Sequence, residues 1–274
     1  MSHHGDMGTG ANHRTAAIWL WPEFAAYLGP SLHLDAHATA VNCYALGVDS
    51  PFDLFVDDRH RRVRSALIPA RTAHRVIAGT GRMLFFYHFS ADRPAHPDEA
   101  AVLAHLTGTP DPRSLCRLRH GDHPGVPRDP RIARAVEMLT RAPEAANSAA
   151  EIAAALHLSR SYFLHLFTVH TGTSFRRYRL WARLIRAGRS LAEGHELTRA
   201  AADAGFASPS HFSDTFHALF GLTATALLTT GPRIVVPDDL ADPRTGLPAI
   251  SSIRPDDRES RGVGHGAGPS MTSV

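Results

Sequence analysis

Ser159-Arg160-Ser161-Tyr162-Phe163-Leu164-His165-Leu166-Phe167, followed by Gly172, and Ser208-Pro209-Ser210-His211-Phe212-Ser213-Asp214-Thr215-Phe216, followed by Gly221, are two copies of one pattern about fifty residues apart. In each copy aromatic residues four apart fall on one helical face, and Ser, His, Arg or Asp occupy the other. Each copy follows a short Ala-rich stretch and a tight break, Glu151 to Leu156 in the first case and Arg199 to Ala204-Gly205-Phe206 in the second. The reading is helix, turn, helix, made twice. Two such units predict a reader of two neighbouring major grooves.

The faces of these helices name the candidate contacts. In the first copy Ala153, Leu156, Phe163, Leu166 and Phe167 are expected to form a small core across the His157-Leu158 turn. Ser159 is suited to cap the second helix, because its hydroxyl accepts from a free backbone N–H. With positions 163, 166, 167 and 170 inward, the recognition helix 159–170 presents Arg160, Ser161, Leu164, His165 and Thr168. Arg160 is expected on phosphate, Ser161 and His165 on base edges, and Leu164 on a thymine methyl or in a domain interface. The second recognition helix, 208–220, turns 212, 216, 219 and 220 inward and Pro209, Ser210, His211, Ser213, Asp214 and His217 outward, with no Arg. Between the copies Ser174 to Ala192 reads as one long helix with Phe175, Tyr178, Ala182 and Ile185 on one face. Its Arg176, Arg177 and Arg179 are candidate phosphate contacts, against a solvated face or ion pairs for each. A helix of about 18 residues spans about 27 Å, comparable to the roughly 34 Å between successive major-groove faces.

These elements, in this order, resemble the AraC/XylS family of bacterial transcription regulators, whose DNA-binding domain carries two such motifs joined by a long helix. The resemblance runs from about Asp129 to Leu228. It rests on Asp129-Pro130-Arg131-Ile132, on Ser159 with Phe163 and Phe167, and on Gly172-Thr173-Ser174. It continues through Tyr178, Arg183-Leu184 and Ala187 to Gly205-Phe206, Ser210, Phe212, Phe216 and Gly221-Leu222-Thr223. It implies a sequence-specific, effector-responsive regulator, with double-stranded DNA and a small molecule as partners. RNA polymerase joins them if the protein activates, and a homodimer is a further option. Arg183 matches an internal Arg that reads as structural.

The departures from the family pattern are specific. His165 and Asp214 stand where members usually carry Arg two residues after the aromatic, and Thr168 and His217 where a basic residue commonly follows the second aromatic. Thr223-Ala224 and Leu227-Leu228 replace the usual Thr-Pro and Tyr-Arg ending. Phosphate repels Asp214 unless it accepts from a cytosine amino group or pairs with an Arg. Either the second motif is mainly a brace, or the protein reads an unusual site.

Upstream, short strand-like runs (39–46, 52–56, 62–68, 74–77 and 83–89) alternate with Gly, Pro and Asp turns. They predict an antiparallel barrel or sandwich, similar to the cupin-like sensor half of the same family. The expected fold is therefore α+β with two domains. Residues 15–122 form an N-terminal antiparallel β-barrel with helices, 123–128 a Gly/Pro linker, and 129–230 an all-α domain. Residues 1–14 and 231–274 are expected to be disordered. Helices within 98–120 either dimerise or cover an open barrel face. Phe52, Phe55, Phe85, Phe86 and Tyr87 are core residues by default and pocket residues by option. His74, following Pro69, is a candidate for ordering its turn or touching effector. His33, His37, His74 and His88 lack the His-x-His with following Glu of a cupin metal site, so no metal is expected.

The chain has 29 Arg and no Lys; 128–230 holds 12 Arg against 8 acidic residues, a surplus whose sign suits a nucleic-acid partner. Cys43 and Cys116 read as buried small hydrophobes, not a disulfide framework. No nucleophile elbow, phosphate loop or metalloprotease motif is present, so neither enzymatic activity nor a cofactor is expected. No signal-like or membrane-length apolar run occurs, which predicts a soluble cytoplasmic protein with no membrane partner. The alternative function is a degenerate DNA-binding half that works through a protein partner or as a small-molecule-binding cupin.

Overall fold

The computed structural model describes residues 16–22, 24–89, 98–106, 129–143 and 148–236. The expected disorder of 1–14, the linker 123–128, Cys116, the helical stretch 107–120 and the tail from 237 lie outside them.

The N-terminal half contains strands β1 (Ala17–Leu20), β2 (Phe24–Pro30), β3 (Asn42–Gly47), β4 (Phe52–Val56), β5 (Arg59–Val63), β6 (Ser65–Ile68), β7 (His74–Ile77) and β8 (Arg82–His88). Helix α1 (Glu99–Leu106) follows. The C-terminal half is α2 (Pro130–Arg141), α3 (Ala149–Ala155), α4 (Arg160–Thr171), α5 (Phe175–Ala192), α6 (Leu197–Asp203), α7 (Pro209–Phe220), α8 (Ala224–Thr229) and a last strand, β9 (Arg233–Val235). Strands form a six-stranded sheet in the order β6-β3-β8-β2-β1-β9 and a three-stranded sheet, β5-β4-β7.

The expected barrel does not close. The six-stranded sheet ends at two open edges, β6 and β9, and its apolar face is covered partly by the three-stranded sheet, through Phe52, Leu54 and Val76, and partly by a helix. Trp181 and Ile185 of α5 belong to the same buried cluster as Ala25, Tyr27, Phe85 and Tyr87 of the sheet. A sheet face must bury itself against some second layer, and here that layer is the three-stranded sheet together with the long helix.

Two departures from the strand reading have local causes. The run 62–68 is two strands: β5 stays with β4, whereas β6 pairs β3 in the other sheet. Arg64 sits at the crossing, its Nη2 donating to the Val48 carbonyl. Strands β1 and β2 were not anticipated. Six of the seven residues of β2 are buried, and a strand buried on both faces lacks the polar alternation that marks one in sequence. Within the stretch expected to be disordered from 231, Arg233–Val235 instead pairs in parallel with Ala17–Trp19.

Helix α1 packs on the chain's own core through Val102 and Leu106, each 1% exposed, and Ser65 Oγ donates to Glu99. This favours covering over dimerising for that stretch.

The helix boundaries follow capping chemistry. The Asp129 side chain accepts from the Arg131 N–H, with Pro130 in the first turn, and Ser148 and Glu151 form a reciprocal capping box. Ser159, Ser208 and Thr223 accept from backbone N–H groups three residues on. Ser174 takes the N-cap position of α5 without such a bond; Arg177 donates to its hydroxyl instead. Gly172 and Gly221 end α4 and α7 in the left-handed region, both at φ 72°.

Candidate nucleic-acid interface

Helices α3 and α4 meet across His157, a non-glycine residue at φ 56°, and the Leu158 N–H donates to the Ala153 carbonyl. Beneath them Phe163, Phe167, Phe175 and Tyr178 make edge-to-face contacts with centroids 5.4–5.6 Å apart. Phe89, from the end of β8, stacks on Tyr178 at 4.6 Å. This core fixes which side of α4 faces water. Arg160, Ser161, His165 and Thr168 are exposed. Leu164 is half-buried and packs on the first motif's own core, together with Leu158 and Leu166, so neither expected role accounts for most of its surface. Thr168 Oγ1 donates to the Leu164 carbonyl at 2.9 Å. Sequence reasoning passed over Tyr162 and Val169, which are 47% and 53% exposed. Both lie one turn-position from the assigned stripe, a neighbourhood that the period alone indicates.

The second pair, α6 and α7, turns at Gly205, φ 74°. Arg183 of α5 holds this turn: its Nε donates to the Ala204 carbonyl at 2.8 Å, its Nη2 to the Gly205 carbonyl, and its guanidinium lies 4.2 Å from the Phe206 ring centroid. Ser210, His211 and Asp214 are exposed, and Ser213 is half-buried. His217 does not join them. It turns to the sheet half, where Nε2 meets Asp35 Oδ2 at 3.1 Å. Beside it the Asp35 N–H donates to the Gly221 carbonyl at 2.7 Å and the Ala38 N–H to the Ala218 carbonyl at 3.4 Å. The C-terminal end of α7 is thus docked on the segment between β2 and β3.

Along α5, Arg176 is exposed, while Arg177 and Arg179 are half-buried. The helix has 18 residues, eight of them buried. It buries more than the single expected face because it packs on both helix pairs and on the sheet.

His74 is 3% exposed. Its Nδ1–H donates to the Thr72 carbonyl at 2.8 Å, and its backbone exchanges two hydrogen bonds with His37. The two rings lie 4.3 Å apart. Burial pushes both imidazoles below the ordinary histidine range. His37 falls to about 4, chiefly from desolvation with smaller pushes from His74 and His217, and its bond to the Asp35 carbonyl opposes the shift. His74 orders this turn, and it is not part of the cavity described next.

That cavity, of about 120 Å³, lies between the sheet and the second helix pair. Ile18, Tyr27, Phe85 and Tyr87 line it from the strands, Trp181 and Ile185 from α5, and Phe212, Phe216 and Phe220 from the inner face of α7. Of the aromatic residues considered for a pocket, only Phe85 and Tyr87 reach it. Phe52 and Phe86 are buried elsewhere, and Phe55 stacks on His60 at 4.6 Å.

Residues 152–230 match the protein family described as a helix-turn-helix domain. A transcriptional regulator from Chromobacterium violaceum, of the AraC-type DNA-binding domain-containing proteins, is 30% identical over 34% of this chain and 85% of its own, with a TM-score of 0.33. The chain belongs to the AraC/XylS family. Two structures of ToxT from Vibrio cholerae share the fold of this AraC/XylS protein. One, bound to (E)-4-(8-methylnaphthalen-1-yl)but-3-enoic acid, has a TM-score of 0.52 at 10% identity and covers 76% of this chain and 99% of that one. The other, bound to an unsaturated fatty acid, has a TM-score of 0.50 at 12% identity and covers 77% and 96%. No curated protein matches the chain in sequence. As a member of this family the chain is a DNA-binding transcription regulator with a β-rich and a helical half. Among the described residues no helix is long and apolar enough to cross a membrane.

Proposed function

We propose that the protein reads DNA chiefly with α4, that α7 serves first as a brace, and that a small molecule held between the halves controls the brace. The observation that carries this reading is the contrast between the two recognition helices. On α4, Arg160, Ser161, His165 and Thr168 are exposed together; on α7, His217 is taken up by Asp35, and the remaining face offers Ser210, His211, Ser213 and Asp214. Arg160, with Arg176, Arg177 and Arg179 of α5, supplies phosphate contacts, and Ser161 and His165 read base edges. ToxT, of the same fold, has been solved with a fatty acid bound, and the cavity against Phe212, Phe216 and Phe220 is where an effector of this chain acts on α7. If α7 leaves Asp35, both helices address adjacent grooves; the 18-residue α5 fits that spacing. The family's members are regulators, not enzymes. A cytoplasmic regulator of this kind partners RNA polymerase when it activates, and a homodimer would compensate for the weak second motif.

Selection of bound sites from random duplex DNA by the full-length protein, at about 100 mM salt, tests the reading. One enriched block supports α4 as the reader with α7 as brace, and two groove-spaced blocks mean that α7 reads bases as well. No enrichment by the folded protein sinks the DNA-reading proposal and favours action through a protein partner.

Two substitutions separate the roles. Arg160→Ala should weaken binding to every sequence and reduce the salt slope by about 1; an unchanged slope removes Arg160 from phosphate. Asp214→Arg should strengthen non-specific binding by about tenfold at low salt if the α7 face lies near DNA. No change there means that α7 sits outside a groove.

A further inference from the structure

After the second helix pair the chain returns to the sheet. β9 pairs in parallel with β1 in the register Ala17–Arg233, Ile18–Ile234 and Trp19–Val235, and the Arg233 N–H donates to the Ala16 carbonyl at 2.8 Å. The stretch from α7 to β9 is therefore held at both ends. At one end α7 sits on the 35–38 segment, through the Asp35 and Ala38 N–H groups and the His217–Asp35 contact. At the other, β9 sits on the edge of the sheet.

Both links between these anchors are short and locally bonded. Residues 221–223 are fixed by Gly221, whose N–H donates to the His217 carbonyl at 2.8 Å, and by the Thr223 hydroxyl, which accepts from the Ala226 N–H at 3.1 Å. In residues 230–232 the Thr230 and Gly231 N–H groups donate to the Leu227 and Leu228 carbonyls at 3.1 and 2.9 Å. Gly231 takes φ 63°, and the ring of Pro232 restricts its own φ. Helices α7 and α8 and strand β9 consequently move as one jointed body. With β9 in place, α7 could leave Asp35 only by breaking these caps and turns in addition to its own docking bonds. Unpairing β9 is the smaller step. It breaks a three-residue parallel ladder at the sheet edge, where Arg233 is exposed and Ile234 and Val235 are half-buried.

We propose that β9 is a latch, which must leave β1 before α7 can leave Asp35. This rests on the reading of α7 as a brace that moves when the regulator switches, and it names the element that holds the brace. Ile18 and Ile234, partners in the β1–β9 register, both line the cavity. A molecule that fills the cavity therefore acts on the latch as well as on α7.

Arg233 supplies the test, because its side chain is exposed while its N–H is bonded to Ala16. Arg233→Pro removes that N–H, whereas Arg233→Ala removes the same charge and keeps it. The measurement is amide hydrogen exchange by NMR on the full-length protein. The Asp35 and Ala38 amides should exchange at least about threefold faster in Arg233→Pro than in Arg233→Ala. Binding to a random-sequence duplex should tighten in Arg233→Pro alone.

A reversible lock decides the matter if Arg233→Pro folds poorly. Ala17 and Arg233 are register partners, and neighbouring strands lie about 4.8 Å apart, within disulfide reach. The pair Ala17→Cys and Arg233→Cys, in a Cys116→Ser background, should exchange at Asp35 and Ala38 at least about threefold more slowly when oxidised than when reduced. Equal rates in the oxidised and reduced forms overturn the latch, as do equal rates in a folded Arg233→Pro and Arg233→Ala. Exchange that follows the latch while duplex binding does not change upholds the latch and removes α7 as the control of DNA binding.

Discussion

Gly221→Val should lower folding stability by about 3–5 kcal/mol and free α7 from the sheet half, because two costs add at that position. Gly221 sits at φ +72°, where a β-branched side chain is strained, and a Cβ there would meet the Asp35 carbonyl oxygen at 2.5 Å and His37 Nδ1 at 2.6 Å. Backbone cannot move aside as a flexible side-chain end can. Gly194→Val is the control. Its φ is +86°, but nothing lies within 4 Å of the added Cβ, so it should cost only the conformational part, about 1–2 kcal/mol. Urea unfolding of both variants measures the difference. Hydrogen exchange locates it, because the Asp35 N–H that donates to Gly221 should lose protection in Gly221→Val alone. Equal costs for the two substitutions would show that α7 does not dock on Asp35. If docking restrains DNA binding, Gly221→Val should also bind DNA more tightly than the Gly194 control.

Acidification should loosen the same contact. Above pH 6.5 His37 is neutral in the folded and the unfolded chain alike, so it contributes no pH dependence. Between about pH 6.5 and 4 the unfolded chain takes up a proton that folded His37 refuses, and stability falls as pH falls. Below about 4 both states hold the proton and the effect is complete, at roughly 3 kcal/mol as an upper figure. His74, also shifted down by burial, acts in the same direction. His37 is faced by His74, by His217 of α7 and by the Asp35 carbonyl, so a charge on His37 opposes the docked α7 directly. Unfolding at pH 7.5 and 5 in wild type and His37→Asn is the measurement. A wild-type loss no larger than that of the variant would remove His37 as the cause.

How much of this was legible in advance depends on the range of the interaction involved. Ser159, Ser208, Gly172 and Gly221 bracket α4 and α7 where the sequence placed them, since a cap and a left-handed stop act within three or four residues. The exposure of Arg160, Ser161 and His165 followed from the helical period once Phe163 and Phe167 were assigned inward. Arg183 was recognised as structural by its place in the family pattern, although its acceptors, Ala204 and Gly205, lie about twenty residues away. Strands β1 and β2 left no alternation to find, because both faces of β2 are buried.

His217 shows the limit of such reasoning. Its helical position is outward relative to its own motif, yet Asp35, 182 residues earlier in the chain, takes it. By the same logic a run of short strands reads as a barrel or sandwich, and only the structure shows that Trp181 and Ile185 share the covering of the sheet with Phe52, Leu54 and Val76. The sequence by itself determined the two helix pairs, their caps, their inward faces and the family to which they belong, because each rests on neighbours a few residues apart. Only the tertiary structure decided what lies over the open sheet, which face of α7 remains free and that an apolar cavity lies between the sheet and the second helix pair. Those outcomes depend on which apolar surface covers which, and a linear pattern states that a face is apolar without naming its partner.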